Sequence, residues 1–131
     1  MFERHLNPRK QGDIGLGVAI GWFTANGYTV SVPLTDSQPY DLVVEQDGVL
    51  SRVSVKTTTL RKNGGYEVGL RTQGGNKTQT NVRHFDSSGV ELLFVACSNG
   101  TNYLIPSAAI SAKSAIVVGE KWSAYQLAGM V

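Results

Sequence analysis

The first sustained pattern in the chain is helical. Between Gln11 and Gly27, Ile14, Val18 and Trp22 recur at helical spacing with Leu16, Ile20 and Phe23 adjoining, so an apolar-faced helix is expected there. Asp13 stands where an N-cap or first-turn acid belongs, and Asn26-Gly27 supplies the left-handed residue that closes a helix. Gly15, Gly17 and Gly21 oppose helix formation by roughly 1 kcal/mol each relative to alanine, and their expected use is close packing against a sheet. From Tyr28 onward the period falls to two. YTVSVPL, YDLVVE, VLSRVSVKT and YEVGLRT read as strands, the middle two joined by the turn QDG. ELLFVACS and TNYLIP form a hairpin across Asn99-Gly100. RTQGGNKTQTN is a polar basic loop, PSAAI starts a short helix after Pro106, and KWSAYQL adds a last helix or strand. The sum is an α/β protein with a mixed, mainly antiparallel central sheet flanked by helices.

The length of 131 residues fits one domain, spanning 1–131, with enough chain to bury a real core. MFERHLNPRK carries charge where a signal peptide needs an apolar block, and no apolar run approaches a membrane span. A cytoplasmic protein with no membrane partner is therefore expected. The one cysteine, Cys97, lies in the apolar run LLFVAC and reads as a buried, inert thiol. Neither His5 nor His84 stands in a nucleophile context, which argues against cysteine–histidine catalysis.

The net charge of +2 is small, but it is unevenly spread: from Arg52 to Arg83 seven cations face Glu67 alone, a local excess of +6. Such a segment suits either a phosphate-binding surface or a solvated sheet edge. Within it, strand alternation puts Leu50, Arg52, Ser54 and Lys56 on one face of VLSRVSVK. The short QDG turn folds that strand back on its predecessor, so Asp41 at the start of one meets Lys56 at the end of the next. That juxtaposition is either a cross-strand ion pair or a metal-binding carboxylate with a lysine beside an attacking water.

The helix, the strands, the acid in SQPYDLVV and the triplet SVK in RVSVKTT together resemble the PD-(D/E)xK nuclease superfamily. The runs QGDIGLGVAIGWFTANGYTVSVPL and YLIP are most similar to the group I intron-associated PD-(D/E)xK endonucleases, and the resemblance extends from about Lys10 to Ile110. It implies a restriction-endonuclease-like core and a Mg²⁺-dependent DNA endonuclease, with Mn²⁺ as a substitute ion. Asp41 would be the metal-ligating acid, Lys56 the catalytic lysine, and Val55 a ligand through its backbone carbonyl. Ser54 occupies the place that is acidic in the superfamily and glutamine in one branch of the intron-associated enzymes. A helix glutamate of many members is replaced by Leu16, with Asp13 the nearest substitute ligand and Glu67 a second candidate. DNA contacts are expected from Arg52, Thr57, Thr58, Arg71 and Lys77, and from a basic arm of Arg4, Arg9 and Lys10. The partner implied is double-stranded DNA, bound by a homo-oligomer, dimer or tetramer. A Holliday-junction resolvase or restriction-type nuclease on the same scaffold, and a catalytically inactive DNA-binding descendant, are the alternatives.

Overall fold

The computed structural model describes residues 2, 7–70, 72, 73, 82, 83 and 89–128. Helix α1 spans Pro8–Ala25, so it starts before the apolar periodicity does. Asn7, not Asp13, is its N-cap: the Asn7 side chain accepts from the Lys10 N–H, and Pro8 takes the first helical position, where a missing N–H costs nothing. Arg9 and Lys10 are therefore first-turn helix residues rather than part of an arm. The other end closes as the sequence predicts. With Gly27 at φ 88°, the Tyr28 N–H reaches Phe23 O and the Gly27 N–H reaches Thr24 O, a Schellman closure. The Phe23 and Tyr28 rings meet edge-on across it, 5.0 Å between centroids.

The central sheet takes its strands from β1 (Thr29–Ser31), β2 (Leu42–Gln46) and β3 (Val49–Thr58), then, later in the chain, Leu92–Cys97 and Asn102–Pro106. Between them come β4 (Arg61–Lys62), β5 (Gly65–Gly69), β6 (Thr72–Gln73) and β7 (Val82–Arg83), so the later two central strands are β8 and β9. β10 (Ala115–Val118) follows, and short 3₁₀ turns occupy Ser107–Ala109 and Glu120–Tyr125. The order β1-β2-β3-β8-β9 is antiparallel except for the β3–β8 pair, which is parallel. β10-β5-β4 form a second antiparallel sheet, and β6 pairs with β7. Arg4, Arg71, Lys77 and the rest of the basic loop beyond Gln73 as far as Asn81 lie outside the described residues.

Alternation along β3 separates two cores. Val53 and Val55 pack with Phe23, Ala19, Leu42 and Phe94 under α1. On the opposite face of β8 and β9, Leu93, Val95, Tyr103 and Ile105 pack against Val68, Ile116 and Val118 of the second sheet and Leu70 just beyond β5. The helix thus covers one side of the central sheet and the small sheet covers the other. Gly15 is what lets α1 sit on β3: a Cβ there would stand 2.2 Å from Thr57 Cγ2. Gly17 has no such role, since it is exposed and a Cβ would meet nothing within 4 Å. Among the described residues no helix is long and apolar enough to cross a membrane.

Candidate active site

Two-residue chemistry at the β2–β3 turn sets the register of the site. Asp47 and Gly48 both have positive φ, 53° and 79°, as a type I′ hairpin requires. Gln46 then faces Val49, and counting back along the ladder puts Leu42 opposite Val53. Asp41 lies one step beyond, where its N–H still donates to Val53 O at 2.8 Å. There β2 ends while β3 continues, and the next outward backbone donor, the Val55 N–H, would be orphaned. The Asp41 side chain takes it, accepting through Oδ2 at 2.7 Å. One carboxylate oxygen is thereby fixed by the backbone of the SVK triplet.

The carbonyl of the same residue points to the same place. Glu91 and Ser98 donate to the carbonyls of Arg52 and Thr58, so even-numbered β3 carbonyls face β8, while that of Val53 faces Asp41. By alternation the Val55 carbonyl emerges on the Asp41 side, past the last β2 rung. Ser54 and Lys56 project from the face opposite α1, in register with Leu93 and Val95 of β8. Ser54 is buried and Lys56 half-buried. Asp41 keeps exposed residue surface, yet its carboxyl group is turned in against β3.

Burial works against both charges. It raises the Asp41 pKa, an effect opposed by the Val55 hydrogen bond and then by the Lys56 charge. It lowers the Lys56 pKa, opposed by Asp41. The two feel each other through space, but among the ion pairs of the described residues, Arg52–Glu91 and Lys62–Glu67, theirs does not occur. An acid and an ammonium near one another, both shifted by burial, form the pattern of a candidate functional site.

The groups that Asp41 and Val55 bring to this point are oxygens: the second carboxylate oxygen of Asp41 and the Val55 carbonyl. A hard divalent ion that retains most of its water fits such a set, because one carboxylate plus a substrate phosphate suffices for Mg²⁺. No group of three or more Asp, Glu, His or Cys side chains gathers among the described residues. Asp13 is exposed on α1. Glu67 is engaged by Lys62 at 3.0 Å.

The expected DNA contacts are placed unevenly. The Thr57 hydroxyl faces α1 and accepts from Gln11 Nε2 at 3.0 Å. Thr58 is buried, its hydroxyl donating to Glu67 O and accepting from the Leu60 N–H. Arg52 shares the Ser54–Lys56 face but is held by Glu91, a residue the sequence reading passed over. Glu91 Oε1 accepts from the Arg52 N–H at 2.6 Å and from its Nε at 3.0 Å, while Oε2 accepts from Nη2. Those bonds hold Glu91 below the usual carboxylate range and raise Arg52 further. The one available signal was that Glu91, like Asp41, is an acid heading an apolar strand.

The family described as PD-(D/E)XK endonuclease matches residues 6–124. Protein 5.3 of Escherichia phage T7 is 40% identical over 87 residues, which cover 66% of this chain and 70% of that protein. The structure of the bacterial homing endonuclease I-Ssp6803I superposes with a TM-score of 0.78 at 25% identity, over 92% of this chain and 89% of that one.

Proposed function

Because the chain belongs to the PD-(D/E)XK endonuclease family, we propose that it is a Mg²⁺-dependent endonuclease hydrolysing phosphodiester bonds in double-stranded DNA, in the manner of a homing endonuclease. The observation that carries this reading is the meeting of the Asp41 carboxylate, both backbone groups of Val55 and the Lys56 ammonium at the point where β2 ends. Asp41 and the Val55 carbonyl would hold the ion, with the Ser54 hydroxyl beside them. A bound Mg²⁺ supplies a more acidic water and neutralises charge at the scissile phosphate.

The chain's own part is positional. The Val55 N–H holds Asp41 through Oδ2, so its other oxygen would be the one offered to an ion. Lys56, half-buried on the same strand, orients the attacking water and offsets charge that develops on the phosphoryl oxygens. Burial lowers its pKa, and its attraction to Asp41 opposes that lowering without outweighing it. One such centre cuts one strand, so cutting a duplex calls for two copies, and a homo-oligomer is part of the proposal.

The test is incubation of the purified protein with plasmid, genomic and four-way-junction DNA in Mg²⁺, Mn²⁺ or chelator. Nicks or double-strand breaks in duplex DNA that require the metal are expected. Cutting confined to junctions, independent of sequence, would transfer the assignment to a resolvase. Salt-sensitive DNA binding with no cutting in either metal would mark a descendant whose chemistry ended with the replacement at Ser54.

A further inference from the structure

We infer that the Glu91 carboxylate occupies Arg52 as a stand-in for a DNA phosphate, and that DNA binding exchanges the one for the other. The inference deepens the nuclease reading and rests on it. Arg52 and Glu91 sit side by side at the start of the parallel β3–β8 pair, where the Glu91 N–H also donates to Arg52 O. Arg52 is on the same face as Ser54 and Lys56 and two residues from Ser54, about 7 Å along a strand. A nucleic acid whose scissile phosphate lies over Asp41 and Lys56 therefore passes its neighbouring phosphates near this guanidinium.

The geometry of the pair matches such an exchange. Arg52 Nε and Nη2 engage the two carboxylate oxygens in a fork, the arrangement in which a guanidinium also grips a phosphate. The side chains are 39% and 40% exposed, so the fork can be reached from solvent. An exposed pair of this kind is worth little and is cheap to break. Glu91 keeps its bond to the Arg52 backbone N–H at 2.6 Å when the guanidinium leaves, so strand pairing is not at stake. The acid also lowers the attraction of this face for polyanions in general, which favours duplexes that bring a phosphate to the fork over those that merely approach.

A double-mutant cycle tests the exchange. Affinity for a random-sequence DNA duplex is measured by fluorescence anisotropy in chelator for wild type, Arg52→Gln, Glu91→Gln and the double variant. Glu91→Gln is expected to tighten binding about two- to fivefold. Arg52→Gln is expected to weaken it more in the Glu91→Gln background than in wild type, because there the arginine gives up nothing to reach the phosphate. Additive effects in the two backgrounds, or an unchanged Glu91→Gln affinity, overturn the exchange while leaving the nuclease reading intact. Absence of DNA binding in all four proteins overturns both. Should Glu91→Gln not fold, the wild-type Arg52 Nε resonance decides: it shifts on DNA titration if the guanidinium changes partner, and an unmoved resonance refutes the exchange.

Discussion

Asp41 and Lys56 are each costly to the fold as charged groups. Burial raises Asp41, so the folded state pays no penalty below the ordinary carboxylate pKa and carries the full penalty above the raised one. Burial lowers Lys56, so its penalty is full below the lowered value and disappears above that of an ordinary lysine. At neutral pH both penalties apply. Asp41→Asn, which keeps an acceptor for the Val55 N–H, and Lys56→Met, which keeps the apolar stem, are each expected to raise the melting temperature at pH 7. A site held at the expense of stability behaves this way, and a lowered melting temperature in both variants would show the pair to be a structural bridge. The charges are also coupled. In Asp41→Asn the Lys56 ammonium loses its attraction, so its pKa, read from the Nζ resonance, falls further below that of an ordinary lysine; an upward move would mean the two do not share a site. Cys97 shows burial with no such purpose: its thiol is pushed up to about 12, and it should resist alkylation until the protein unfolds.

Among the elements, α1 sits on β3 with no room for a side chain at Gly15. Gly15→Ala forces a methyl against Thr57 and is expected to cost about 1–3 kcal/mol in denaturant unfolding. Gly17→Ala, with open space around its Cβ, should instead stabilise by up to about 1 kcal/mol. Equal effects at the two positions would refute the packing asymmetry. From sequence Gly15 and Gly17 are indistinguishable, because periodicity gives a face but not the depth of its contact. Most of the central sheet was legible for a local reason: Asp47-Gly48 fixes a two-residue turn, and period-two alternation does the rest. This is why Asp41 and Lys56 could be brought together on paper. The Asn63-Gly64 turn has the same chemistry, with φ 51° and 81°, but its first strand, Arg61–Lys62, is two polar residues and offers no pattern. Glu91 escaped because it meets Arg52 through a parallel pairing 39 residues away, which no local signal encodes. Helix α1 began early for a similar reason: Asn7-Pro8 is the start signal, and it lies ahead of the apolar stripe.

On the scale of the whole molecule, the central sheet is covered on one side by α1 and on the other by the small sheet, and the candidate centre lies where β2 stops short of β3. The basic excess of the middle segment is less available than its count suggests. Arg52 is committed to Glu91, Lys62 to Glu67, and Arg61 lies over the Tyr66 ring at 5.0 Å from its centroid. Under the proposed function, recognition of DNA by such a surface would depend on exchange of partners and on symmetric pairing of copies more than on net charge. The proposed chemistry turns on one carboxylate, that of Asp41. Its most direct test is cleavage of a plasmid library with randomised inserts in Mg²⁺, comparing wild type with Asp41→Asn at equal DNA occupancy. Cutting by wild type that chelator abolishes, reduced at least about 100-fold in the variant while DNA binding persists, is the predicted result. Undiminished cutting by Asp41→Asn, or wild-type cutting indifferent to chelator, would contradict it.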